Sequence, residues 1–212
     1  MKKILRFTAL MLVFLLGASL ILSGCDKNDS EDDRREKLIP PDYSEKNIEE
    51  LVKLGEYKNM IVQAGNSTPN VTLWHKIIEN AEIIKYPEDA MEYYKELSTR
   101  GYSNLAKDGK MSYDELLAAL GITEADIIAE AEEYVKSDLV KLAIIRAEGL
   151  ELTDDEKARL FDKYVKKFVT SYGYTEEHVK ENLTDEIYDT MQYDKMMEFL
   201  MLNNTIITSA EE

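Results

Sequence analysis

Few of the residues that can do chemistry stand at spacings that would let them do it. The 212-residue chain has two histidines and one cysteine. His75 and His178 each fall in a segment of helical pattern, and neither has a second histidine or a cysteine at metal-ligand spacing. Glu176-Glu177-His178 lacks the paired histidines of a zinc-protease helix, and no nucleophile elbow, phosphate-cradling glycine loop or dinucleotide fingerprint occurs. Carboxylate pairs such as Glu132-Glu133 and Asp154-Asp155 sit at helix starts or on polar faces. There they favour the helix dipole and solubility rather than general acid–base work. One stretch has the outline of a cation site: Asn104, Asp108, Gly109, Met111, Ser112 and Glu115 occupy positions one, five, six, eight, nine and twelve of a calcium loop. Ala106 stands at the third ligand position and Asn104 replaces the usual Asp, so the stretch reads as an ordinary helix–turn–helix, with weak calcium binding as the alternative. No catalytic residue, cofactor or metal is expected.

The pattern that positions everything else is helical. From Thr123 to Gly149, Ile128, Ala131, Val135, Leu139, Leu142 and Ile145 recur at steps of three or four, which stacks them on one helix face. Thr123 with Asp126 has capping-box spacing, and Gly149 suits the left-handed turn that ends a helix, with Leu150 folding back onto Ile145. The 25 residues between span roughly 37 Å, the length of a spine or an arm. Helical faces also follow over Val71 to Ile84 (Trp74, Ile77, Ile78, Ala81), with Pro87 suited to a first helical turn, and over Glu88 to Lys107, where Gly101 suggests a kink or break. Ser112 with Glu115 caps a short helix ending at Gly121. Thr153 with Glu156 caps one whose apolar face runs from Phe161 through Tyr164, Val165, Phe168 and Val169 to Tyr172, stopping at Gly173. Thr175 opens a short helix through Leu183, and Thr184 a last long one whose apolar residues cannot all face one core. Met60-Ile61-Val62 and Thr205 to Thr208 read as short extended pieces, the first bounded by the breakers Gly65, Asn66 and Pro69. The expected fold is mainly α.

The N-terminal stretch is of another kind. Met1 to Gly24 opens with Lys2, Lys3 and Arg6 and continues with eighteen uncharged residues, the order of a secretory signal. Leu22-Ser23-Gly24-Cys25 resembles the lipobox of bacterial lipoproteins, which implies cleavage before Cys25 and a diacylglycerol on its thiol. A lone cysteine excludes an internal disulfide. Without the signal, 23 basic residues face 42 acidic ones, a net charge near −19 against −16 for the whole chain. That balance argues against nucleic-acid binding, which depends on clustered Lys and Arg. Asp26 to Lys37 is wholly polar and Pro40-Pro41 follows, so residues 25–50 read as a lipidated, disordered tether. Residues 51–70 then form a short extended piece and linker, and residues 71–212 a helical domain.

From Leu51 onward the chain resembles trigger factor, a peptide-binding chaperone family. Leu54-Gly55-Glu56-Tyr57-Lys58 is similar to the strand preceding that family's isomerase domain, and Glu79 to Ile83 with Tyr86-Pro87-Glu88 to the entry into its C-terminal helical domain. Arg146 to Thr153 and Tyr172-Gly173 with Thr175-Glu176-Glu177 match turns between arm helices, and Asp194 to Leu200 its last helix. All five occur in the family's order. Only Gln63 to Asn70 fills the place of an FK506-binding-type isomerase domain, which needs on the order of a hundred residues, so the resemblance does not carry isomerase activity. No ribosome-docking Gly-Phe-Arg-Lys signature is present.

What the resemblance implies is an elongated set of helical arms of the trigger factor C-terminal, SurA-like peptide-binding type. The expected protein is a lipid-anchored holdase on the extracytoplasmic face of the cell membrane, binding unfolded or nascent exported polypeptides. Thirteen tyrosines and nine methionines supply adaptable, amphipathic contact area, and Tyr93, Tyr94, Tyr134, Tyr164, Tyr188, Tyr193, Met191, Met197 and Met201 are the candidate contacts. The alternative is a helical interaction lipoprotein that dimerises or docks one envelope partner, and a residual prolyl isomerase activity ranks last.

Overall fold

The computed structural model describes residues 38–65 and 67–208. The signal-like segment, Cys25 and the polar stretch to Lys37 lie outside the described residues. The chain is mainly helical, with seven α-helices and four short strands among the described residues. It divides into two compact units, residues 88–134 with 38–42, and residues 43–87 with 135–208.

In chain order the helices are α1 Pro69–Asn80, α2 Glu88–Asp108, α3 Tyr113–Leu120, α4 Glu124–Glu148, α5 Asp154–Tyr172, α6 Glu176–Asn182 and α7 Thr184–Leu202. The strands are β1 Val52–Lys53, β2 Ile61–Gly65, β3 Glu82–Ile83 and β4 Thr205–Thr208. Helix α4 contributes its residues up to Tyr134 to the first unit and the rest to the second.

In the first unit α2 reverses into α3 through Lys110, whose φ of 54° is left-handed. The Met111 amide returns to the Ala106 carbonyl at 3.0 Å. Ser112 and Glu115 form a reciprocal capping box, and Gly121 ends α3 in the left-handed region. Thr123 and Asp126 cap α4 in the same reciprocal way, with the Thr123 amide donating to Asp126 Oδ2 at 2.8 Å and the Asp126 amide to Thr123 Oγ1 at 3.3 Å. Tyr102, Ala106, Leu116 and Ile127 make the core, flanked by Leu105, Tyr113, Leu117 and Ile122. Gly101 does not break α2, which is one helix from Glu88 to Asp108. A Cβ there would meet nothing within 4 Å, so the glycine sits on an open face, and the buried Ser98 and Tyr102 on either side of it carry the helix through.

The second unit is assembled from distant parts of the sequence. β1 pairs antiparallel with β3, Val52 opposite Ile83, and β2 pairs parallel with β4, Ile61 opposite Thr205. The β1–β3 pairing explains why α1 stops at Asn80 rather than at Ile84: the chain turns extended at Ala81 and hydrogen-bonds instead to the β1 segment, the Ile84 amide reaching the Leu51 carbonyl at 2.8 Å. Pro87 lies just ahead of α2 and not inside its first turn. Asn204 fastens the β2 side, its Nδ2 donating to the Tyr57 and Leu200 carbonyls and its Oδ1 accepting from the Met60 amide. Gly55 is required where it stands. A Cβ at that position would collide with the Asn80 carbonyl, and backbone cannot swing aside as the end of a side chain could. Within the segment expected as tether, Tyr43 and Ile48 are buried and Ile48–Glu50 makes a 3₁₀ turn.

Leu73, Ile77, Val135, Leu139, Val140, Ile144, Val165, Val179, Ile187, Met191, Met196 and Leu200 are the largest fully buried side chains, and all belong to the second unit. The buried apolar residues of α4 are Ile127, Ala131, Val135, Leu139, Val140, Ile144 and Ile145. Ile128 and Leu142, expected on that face, are half-buried. Gly149 does end α4 in the left-handed region, with the Leu150 amide donating to the Ile145 carbonyl at 2.9 Å. Gln192 of α7 clamps the turn that follows, accepting from the Leu152 amide and donating to the Leu150 carbonyl. Thr153 and Glu156 then cap α5 as a full capping box. Among the described residues no helix is long and apolar enough to cross a membrane.

Candidate polypeptide-binding surface

The candidate tyrosines of the first unit come together. Tyr93 and Tyr94 meet edge to face at 5.0 Å between ring centroids, and Tyr94 stacks on Tyr134 at 5.4 Å with the planes 18° apart. All three are half-buried and keep some accessible surface. Their positions follow from helix geometry: adjacent residues near the start of α2 meet a residue at the end of the first unit's share of α4. Below them Glu130 is buried, with 8% of its surface exposed. It accepts a hydrogen bond from the Tyr102 hydroxyl at 3.2 Å. Burial raises the Glu130 carboxyl above its ordinary value, partly offset by the hydroxyls of Tyr102 and Ser98. Ser98 Oγ is itself buried and closes no hydrogen bond of regular geometry. Burial, with Glu130 next, pushes the Tyr134 phenol upward as well.

In the second unit the candidates are spread out. Tyr164 is buried, its hydroxyl donating to Asp194 Oδ2 at 2.8 Å. Desolvation, followed by that carboxylate, pushes its phenol up to about 12. Met191 and Met197 lie in the core. Tyr188 is half-buried beside Phe161, 5.7 Å between centroids, with the Lys157 ammonium 5.6 Å over its ring. Tyr193 meets Trp74 edge to face at 6.1 Å, and Met201 is half-buried. Tyr93, Tyr94, Tyr134, Tyr188, Tyr193 and Met201 therefore keep accessible surface, whereas Tyr164, Met191 and Met197 are held in the interior.

Sequence reasoning passed over other apolar surface. Ile61 is 72% and Leu202 80% exposed. The parallel register puts Ile61, Gln63, Thr205 and Ile207 on one side of the β2–β4 pair, while Val62 and Ala64 point into the core. The alternation in β2 would have revealed this only with its partner strand known. Tyr172 is half exposed at the end of α5, in a run of rings with Phe168, Tyr174 and His178. In the calcium-like stretch, the Glu115 carboxylate is taken up by the Ser112 amide and hydroxyl, each at 2.8 Å. Asn104 and Ala106 lie within α2.

Compared with known proteins, the chain is similar to trigger factor. It is 29% identical to the trigger factor of Streptococcus equi subsp. zooepidemicus (strain MGCS10565) over 124 residues, which are 57% of this chain and 27% of that protein. It is 29% identical to that of Streptococcus mutans serotype c over 115 residues, 52% of this chain and 26% of that protein. For Streptococcus pyogenes serotype M2 the identity is 29% over 125 residues, with 57% and 26% covered. The chain spans about a quarter of the length of these relatives. No protein-family model matches it, and no solved structure does.

Proposed function

We propose that the protein is a trigger-factor-like holdase that shields apolar segments of unfolded, exported polypeptides, without ATP and without covalent chemistry. The observation that carries this reading is the similarity to trigger factor over more than half of the chain. The accessible aromatic surface supports it. Tyr93, Tyr94 and Tyr134 offer a contiguous aromatic patch in the first unit. Tyr188, Tyr193 and Met201 offer separate contacts in the second. Rings of this kind supply large contact area at small cost in side-chain entropy, and a net charge of −16 draws in clients rich in Lys and Arg while keeping the protein soluble. In this reading a lipid on Cys25 holds the chain on the outer face of the cytoplasmic membrane. That part rests on Leu22-Ser23-Gly24-Cys25 and the uncharged stretch before it.

The test is light scattering of several unrelated unfolded proteins, with residues 26–212 added and no ATP. Suppression of aggregation near equimolar ratio is expected, weakened when Tyr94 and Tyr134 are both replaced by Ser. Unchanged scattering with every client removes the holdase reading. Recovery of the full chain from membranes, lost on Cys25→Ala, checks the anchor separately.

A further inference from the structure

The second unit contains a cavity of about 540 Å³, open on one side, lined by Asn47 to Glu49, Val52 to Leu54, Ile84, Ala143, Arg146 and Ala147. Its size is that of a ligand site, pockets of about 300–1,000 Å³ being the usual range. Ile48, Val52, Leu54, Ile84, Ala143 and Ala147 make its walls apolar, and Ile84 is left 57% exposed. Three consecutive residues of one extended segment, Val52, Lys53 and Leu54, line it. Side chains of an extended segment alternate in direction, so the cavity borders the edge of β1 and not merely one face. β1 pairs with β3 alone. Its second edge therefore has no strand beside it among the described residues.

The rim is cationic on a strongly acidic protein. The Lys53 side chain is exposed and has no hydrogen-bond or ion-pair partner among the described residues. The Arg146 guanidinium is held by the Lys46 and Tyr43 carbonyls at 2.8 and 2.7 Å, which fixes its position without neutralising it. Two of its five N–H groups are used. Glu49 is the single acid of the lining, so the cavity carries a net positive charge on a chain of net charge −16.

We propose that this cavity captures the C-terminal end of an extended polypeptide whose last residues are apolar. The apolar side chains fill the cavity, the backbone adds along the free edge of β1, and the terminal carboxylate is held by Lys53 and the remaining N–H groups of Arg146. Strand addition and carboxylate capture are both established ways of holding a peptide. A fatty acid shares the apolar chain and the carboxylate, but it has no amides for the strand edge, and the edge selects the peptide. This goes beyond the holdase reading, which needs no recognition of a chain end, and stands without it.

The experiment uses the full chain in nanodiscs and a fluorescent peptide of alternating apolar residues ending in leucine, followed by fluorescence anisotropy. The free-acid peptide is expected to bind about tenfold more tightly than the same peptide ending in an amide, as the loss of a charge-assisted contact predicts. Lys53→Gln is expected to weaken the acid by about fivefold and to leave the amide peptide unchanged. Ile84→Glu, at an exposed wall position that folding tolerates, is expected to remove both. Equal binding of acid and amide, or insensitivity of the acid to Lys53→Gln, overturns the proposal. Displacement of the peptide by dodecanoate at matched concentration overturns it too, and makes the cavity a lipid site.

Discussion

The two units differ in what they bury. The second closes around Leu, Ile, Val and Met side chains with no accessible surface, drawn from α1, the later part of α4, α5, α6 and α7. The first hides mainly small or polar groups: Ala90, Ser98, Ala106, Glu130 and Ala131 beside Tyr102, Leu116 and Ile127. They also differ in reach. The first unit is built almost wholly from one continuous stretch, residues 88–134, whereas the second joins two stretches, with Met60 and Asn204 bonded across 144 positions. A thin core made of local contacts opens at low free energy, and a thick one made of distant contacts opens with the whole fold. The first unit is thus the adaptable part and the second the anchor, and the aromatic patch Tyr93-Tyr94-Tyr134 sits on the adaptable one.

The contrast is broken most severely at Gly55. Gly55→Ala places a methyl group against the Asn80 backbone, and a loss of about 3 kcal/mol is expected from overpacking between two backbones. Thermal unfolding should fall by about 10 °C. An unchanged midpoint would show that the β1–α1 approach is not part of what anchors the second unit.

A smaller effect of opposite sign is expected in the first unit. Burial raises the Glu130 carboxyl above 4.5, so folding takes up a proton. Its contribution is fully present below pH 4.5 and is lost as pH rises through the folded-state value. Glu130→Gln keeps the shape without the charge, and about 1 kcal/mol of stabilisation is expected at pH 7, disappearing near pH 4. Hydrogen exchange of α2 and α3 amides at the two pH values reads this directly. Protection corrected for the intrinsic exchange rate that exceeds wild type equally at pH 4 and pH 7 would contradict the buried charge as the cause.

The smallest effect sharpens the anchor side. Lys195 donates to Glu156 Oε2 at 2.8 Å and to the Glu151 carbonyl at 3.1 Å. Lys195 first, then the Thr153 amide, bring Glu156 down to about 2. That depressed group contributes stability above its ordinary value of 4.5, lost as pH falls toward 2. Lys195→Gln should move the Glu156 carboxyl resonance, followed by NMR titration, back toward its ordinary pKa. A midpoint that stays near 2 would assign the shift to the capping amide alone.

What was legible in the sequence was whatever is decided within four or five residues. Ser112 with Glu115, Thr123 with Asp126 and Thr153 with Glu156 announce helix starts because each pair satisfies its own amides, and Gly121, Gly149 and Gly173 announce ends because the left-handed turn is a local demand. Gly101 misled for the complementary reason: its cost is local, but the buried neighbours that override it are not. The buried α4 stripe starts at Ile127 and not at Ile128, because period alone does not say which flank of a stripe a partner helix covers. The pairings β1–β3 and β2–β4 left no local mark. For the candidate contacts, apolar character was readable. Whether Tyr164, Met191 and Met197 face inward while Tyr188 and Met201 keep open surface depends on the packing of α5 against α7, which no spacing rule expresses.

The parallel pairing of β2 with β4 also sets the order in which the protein can be completed. Met60, beside β2, and Asn204, beside β4, hydrogen-bond across 144 positions of chain. At about 5–20 residues per second, a ribosome takes on the order of ten to thirty seconds to reach β4 after β2 has been made. Through that interval Val62 and Ala64 have no neighbouring strand to hold them against the core, although every helix up to α6 can already form. The newborn chain therefore passes through a stage in which it resembles the unfolded polypeptides it is proposed to protect.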